Sequence, residues 1–204
     1  MTVLPQPRKT PRQARSQSTV EAILEATARI LAERGYAGTN TNIVAEVAGV
    51  SVGSVYQYFP NKDALVTALH ERHGRQMQAV IEAVLGTSQP RSLRGHIKAT
   101  VRALLAAHQV SPALHKVLEK EFPFFDAPKD QSATDDGIFR RMRDLLEAHR
   151  EEIAPRDLDL ATWTVMRVIE SMVHNAVIEP PARFTAAAIE GAFVDVVMGY
   201  LTAR

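Results

Sequence analysis

At 204 residues, with no cysteine and a net charge of +1, the chain can bury a sizeable core, but it has no means to build a disulfide framework or thiolate chemistry. No stretch reaches the roughly 18 consecutive apolar residues of a membrane-spanning helix. Residues 1–17 lack the apolar run of a secretory signal, so a cytoplasmic protein with no membrane partner is expected. The small net charge hides an asymmetry: up to Arg75 basic residues outnumber acidic ones nine to six, while the rest carries 15 basic and 17 acidic.

In chain order, a basic arm comes first, with Arg8, Lys9, Arg12 and Arg15 set among Pro5, Pro7 and Pro11 and no acidic residue before Glu21. Such an arm resists packing and suits a polyanion, a solvated tail being the plain alternative. Val20, Ile23, Leu24, Ile30 and Leu31 recur at helical spacing on a first helix that Gly35 closes. Short helices are predicted over 40–48 and 52–59, the second ended by Pro60, because the residue before proline is pushed out of the α region. Asn61 then caps a long helix carrying Leu65, Val66, Leu69, Met77, Val80, Ile81 and Val84.

After a loop at 86–90, Leu93, Ile97, Val101 and Leu104 mark another helix that stops near Pro112. A short helix over 113–121 leads into an aromatic loop, Phe122-Pro-Phe-Phe, and Ile138, Met142, Leu145 and Leu146 mark the next helix. Two long helices, one through Ala161 to Val177 and one through Ile189 to Leu201, flank Pro180-Pro181. No alternating strand pattern and no repeat is visible, so the fold class is all-α with about nine helices.

The informative stretch is Thr39 to Phe59, which reads as two short helices joined by a tight turn, a helix-turn-helix unit. Ala45 is small where the helices must cross. Gly49 stands where the chain needs φ > 0, Val50 plugs the gap and Ser51 is a natural N-cap. Val55 and Phe59 are expected inward, leaving Val52, Gly53, Ser54, Gln57 and Tyr58 outward. A small, polar helix face of this kind fits the DNA major groove, where glutamine can bond adenine at two points. Two core helices that happen to be short and glycine-broken are the bland alternative.

The segment from Val20 to Leu69 resembles the DNA-binding head of the TetR (tetracycline-repressor-like) family. Ala48-Gly-Val-Ser51, then Tyr56-x-Tyr58-Phe59, then Lys62 and Leu65 carry the likeness, with Gly35, Tyr36, Thr39 and Val44-Ala45 before them. The resemblance covers about a quarter of the chain. It implies an arm over 1–16 that holds Arg12 and Arg15 near a minor groove, a DNA-binding domain over 17–62 and a ligand-binding and dimerisation domain over 63–204. It further implies phosphate contacts from Ser51, Tyr56, Tyr58 and Lys62 and base-reading positions at Ser54 and Gln57. Thr41 and Asn42 resemble backbone and base contacts, although Thr41 stands where most members have an apolar residue and local packing is its alternative.

The body carries weaker signals. His108, Phe122, Phe124, Phe125, Met142, Trp163, Met166 and Glu170 could line an apolar ligand pocket, with core packing as the alternative for each. His70 and His73 lack a carboxylate partner at ligand spacing, and no metal site or cofactor is expected. No Ser/His/Asp set, phosphate loop or paired-carboxylate motif occurs, so no enzymatic activity is expected. The resemblance places a two-fold four-helix bundle on the last two helices, through Ile169, Met172, Val173 and Ala176 facing Phe193, Val197 and Tyr200. An intrachain pair is the alternative. The expectation is a homodimeric regulator of a palindromic duplex site, released by a small apolar or aromatic effector. A dimer that answers to a protein partner, and a helical enzyme or scaffold with a degenerate head, are the rival readings.

Overall fold

The computed structural model describes residues 6–8, 14–86, 92–121 and 133–203. Among them there are nine α-helices and no strand: α1 Ala14–Arg34, α2 Thr41–Ala48, α3 Val52–Tyr58, α4 Lys62–Leu85, α5 Leu93–His108, α6 Pro112–Lys116, α7 Ala133–Ala148, α8 Leu158–Ile178 and α9 Ala186–Thr202. The all-α expectation holds. The short helix expected over 113–121 is α6 running into a π-helical turn, Val117–Glu121. The aromatic loop with Phe122, Phe124 and Phe125 lies outside the described residues.

Local chemistry sets the boundaries. Asn40 is extended (φ −147°, ψ 163°), and its side chain accepts the orphan N–H groups of Asn42 and Ile43 at the start of α2. Asn61 accepts from the Ala64 N–H at 2.9 Å to open α4, as expected. Ser92, Asp157 and Thr185 do the same for α5, α8 and α9. Gly35 and Gly49 both adopt φ 68°, the left-handed conformation that ends α1 and α2. Removing one cap tests this account. Asn40→Ala should cost ~1 kcal/mol and lower the thermal midpoint by ~2–4 °C, read by circular dichroism.

The chain forms two compact units, each with its own core. One holds the described residues up to His73 together with Ser111–Glu121; the other holds Gly74–Val110 and the described residues from Ala133 onward. In the first unit Ile23, Ile30, Leu31, Val44, Val55, Phe59 and Leu65 are buried together with Val117 and Leu118. Residues 63–73, placed with the body in the expected domain bounds, fall in this unit, and 64–69 are buried on every side of α4. The second core joins Leu93, Ile97 and Val101 of α5, Met142 and Leu146 of α7, Val165, Ile169 and Val173 of α8, and Val194, Val197 and Leu201 of α9. No described helix is long and apolar enough to cross a membrane.

Candidate nucleic-acid interface

The α2–turn–α3 unit is held by its own hydrogen bonds. The N–H groups of Gly49 and Val50 return to the carbonyls of Glu46 and Ala45 at 3.1 and 3.0 Å, closing the turn. Ser51 Oγ accepts the Ser54 N–H at 3.0 Å and lies 2.8 Å from Ser54 Oγ. The Ser51 hydroxyl therefore caps α3 and pairs with that of Ser54, though Ser51 itself stays exposed.

Val55, Tyr58 and Phe59 follow the i, i+3, i+4 rule and turn one face of α3 into the core, Tyr58 with only 6% of its surface exposed. That corrects the expectation for Tyr58. Its ring packs among apolar side chains instead of lying on the outer face, and its carbonyl accepts the Arg8 N–H at 2.7 Å. Phe59 is buried as expected. Thr41 is also buried, and its hydroxyl donates to Tyr56 Oη at 3.1 Å. Val52, Gly53, Tyr56 and Gln57 form the exposed face of α3, and Asn42 is exposed at the start of α2. Arg12 lies outside the described residues; Arg15 lies in α1, with its side chain outside them.

A node around Tyr36 escaped the sequence reading. Its N–H donates to Glu121 Oε2 at 2.9 Å, its carbonyl accepts from Lys62 Nζ at 3.0 Å, and its hydroxyl donates to the Asp63 carboxylate. The Lys62 ammonium also sits 3.9 Å from the centre of the Tyr36 ring, a cation–π contact. Partial burial, the hydrogen bond to Asp63 and that group's charge hold the phenol well above its ordinary range, so it stays protonated. Lys62 is thus anchored, with ammonium hydrogens to spare. Only Gly35 and Tyr36 hinted at this node in sequence, and its partner Glu121 comes from far along the chain.

In the second unit the expected pocket residues do not converge. Met142 is buried in the core, Met166 packs against it and His108 is buried, whereas Trp163 is 54% exposed and Glu170 pairs on the surface with Arg167. Trp163 and Glu170 fall off the inward stripe of α8, which runs Ala161, Val165, Ile169, Val173, Val177. Phe122 and Phe125 lie outside the described residues. The expected pairing stripe needs a similar correction. Ile169, Val173 and Val197 are 3%, 1% and 1% exposed, buried in this chain's own core. Met172, Ala176 and Phe193 instead line an open groove of about 660 Å³ between α8 and α9, with Ile189 and Phe184. Tyr200 is exposed, as is Val196 beside it.

A capped pair of short helices around a left-handed glycine, showing a small uncharged face to solvent, defines the class: a helix-turn-helix DNA-binding regulator. Residues 23–69 match the family model of bacterial regulatory proteins of the tetR family, and residues 92–201 match that of the tetracyclin repressor-like C-terminal domain. The chain belongs to the TetR family of transcriptional regulators.

The HTH-type transcriptional repressor KstR of Mycolicibacterium smegmatis is 35% identical over 106 residues, which make up 52% of this chain and 50% of that protein. The HTH-type transcriptional regulator YvkB of Bacillus subtilis is 35% identical over 68 residues, 33% of this chain and 36% of that one. The chain therefore spans about a third to a half of the length of these curated relatives. The solved structure of the fatty acid degradation regulator FadR from Bacillus halodurans superposes with a TM-score of 0.70 at 18% identity, covering 96% of this chain and 100% of that one. A TetR family regulator from Marinobacter aquaeolei gives 0.64 at 23% identity, covering 93% and 98%. Both share the fold. The family and the relatives' names describe regulators rather than enzymes.

Proposed function

We propose that the protein is a repressor that holds a palindromic operator as a homodimer and releases it when its body takes up a small apolar molecule. Gly53 carries the DNA reading. It lies inside α3, where glycine costs helix stability, and a Cβ there would meet nothing closer than Ser51 Oγ at 3.7 Å. Among the described residues nothing requires glycine at this exposed position, but a duplex lying against the helix would. Gly53→Ala should therefore raise thermal stability by ~0.5–1 kcal/mol and yet weaken operator binding at least tenfold. An alanine variant that binds as tightly as wild type would remove the assignment.

In this reading Gln57 would read a base edge and Val52 would meet a thymine methyl, while Asn42, Ser51, Tyr56 and the further donors of Lys62 would hold phosphates. Gln57→Ala should relax preference at one base position, for ~1–3 kcal/mol. Lys62→Ala should weaken binding to all sequences and lower the magnitude of the salt slope by ~1. Competition binding on duplexes at several salt concentrations separates the two effects.

The exposed apolar face of α8 and α9, from Met172, Ala176 and Phe193 to Val196 and Tyr200, is the surface proposed to pair with a second copy. Two heads then meet two half-sites one turn of duplex apart, ~34–36 Å. The effector is proposed to be apolar, in keeping with a relative named as the fatty acid metabolism regulator protein of Bacillus subtilis, 33% identical over 63 residues. Helix α4 begins at Lys62 beside Tyr36 and runs without a break to Leu85, which offers a route for coupling. A coupling of ~1–3 kcal/mol changes DNA affinity ~5- to 150-fold, and operator must weaken the effector's affinity by the same factor.

A further inference from the structure

Two imidazoles meet inside the second unit and play no part in the DNA reading. His108 is the last residue of α5 and is 4% exposed. Its Nδ1 lies 2.8 Å from the Leu104 carbonyl one turn earlier. A carbonyl can only accept, so Nδ1 carries the ring proton, and in the neutral ring the lone pair is on Nε2. That Nε2 lies 3.0 Å from Nε2 of His174, in α8, with the ring centroids 4.8 Å apart. His174 follows Val173, which is buried in the apolar core.

We propose that His108 and His174 form a binding site for a first-row divalent cation of the zinc type, clipping the end of α5 to α8. Three features of the pair point to a metal. A histidine that donates its other nitrogen to a backbone carbonyl has its tautomer and ring direction fixed as a ligand needs. Two zinc–nitrogen bonds of about 2.0–2.1 Å at a tetrahedral angle set the nitrogens about 3.3 Å apart, so the observed 3.0 Å needs to open by only a few tenths of an ångström. The donors are both imidazole, which suits Zn²⁺, Co²⁺, Ni²⁺ and Cu²⁺ and disfavours Mg²⁺ and Ca²⁺. When the ion binds, His174 shifts its shared Nε2 proton to Nδ1 and both Nε2 lone pairs go to the metal. The pair supplies two of the ion's coordination positions.

The test uses the full chain, stripped with a chelator and titrated with Co²⁺, whose visible absorption reports its ligand geometry, and separately with Zn²⁺ by calorimetry. One ion per chain with micromolar affinity is expected, with Zn²⁺ displacing Co²⁺ and raising the thermal midpoint. His108→Gln and His174→Gln should each lower the affinity at least tenfold. His174 is only partly buried, so its glutamine variant should keep the wild-type dichroism spectrum. In the wild type, added Zn²⁺ should shift the ring nitrogen resonances of both histidines, a reading that does not depend on any variant folding. No saturable binding, undiminished affinity in both variants or unmoved ring resonances would overturn the site.

Discussion

Replacing Val173 with aspartate should unfold the second unit instead of merely dissociating a dimer. Val173 is 1% exposed on the inward stripe of α8, among Val165, Ile169, Val194 and Val197. A carboxylate there loses its water and gains no partner, at a cost of roughly 4 kcal/mol or more, a large fraction of the 5–15 kcal/mol that keeps a domain folded. Val196 is one helix position from Val197 but is 53% exposed. If α8 and α9 pair with a second copy as proposed, Val196→Asp should leave the melting curve within ~0.5 kcal/mol of wild type while giving monomers, because the charge would be desolvated only across that surface. Sedimentation and thermal melts on both variants separate the two surfaces. A folded, monomeric Val173→Asp would show that the stripe faces a second copy after all.

Phe59→Ala should have the second large effect, ~3–5 kcal/mol. The ring is 2% exposed and sits at the end of α3 in the core of the first unit. Its loss leaves a cavity under the recognition helix, so operator binding should fall with the stability of the first unit. Chemical denaturation monitored by circular dichroism checks the cost. A change below 1 kcal/mol would mean that the first unit's core does not depend on this side chain.

What the sequence disclosed depended on how local the signal was. The turn at Gly49, the caps at Ser51 and Asn61 and the inward Val55 and Phe59 are each decided within four residues, and all were legible. Tyr58 was misplaced because a tyrosine three residues after Val55 satisfies two readings, a polar tip on the surface or a ring in the core, and only the packing of the first unit's core selects the second. The stripe of α8 failed in another way. Its apolar residues cover more than one face, so Ile169 and Val173 could not be told from Met172 and Ala176 until α5 and α9 were in place. Trp163 read as a pocket residue by its chemistry alone, although its helical phase sets it opposite Val165. The Tyr36–Glu121 hydrogen bond spans 85 positions, and no periodicity foretells it.

We propose that α3 reads sequence and that two copies read it together. Selection from a pool of randomised duplexes tests this most directly, followed by affinity measurements on the winners at physiological salt. A palindromic consensus should emerge, bound ~10³-fold or more tighter than random duplex, with one dimer covering two half-sites. The same selection with Gln57→Ala should lose preference at symmetric positions in both halves. Equal affinity for every duplex, or an enriched site with no two-fold symmetry, would contradict the account.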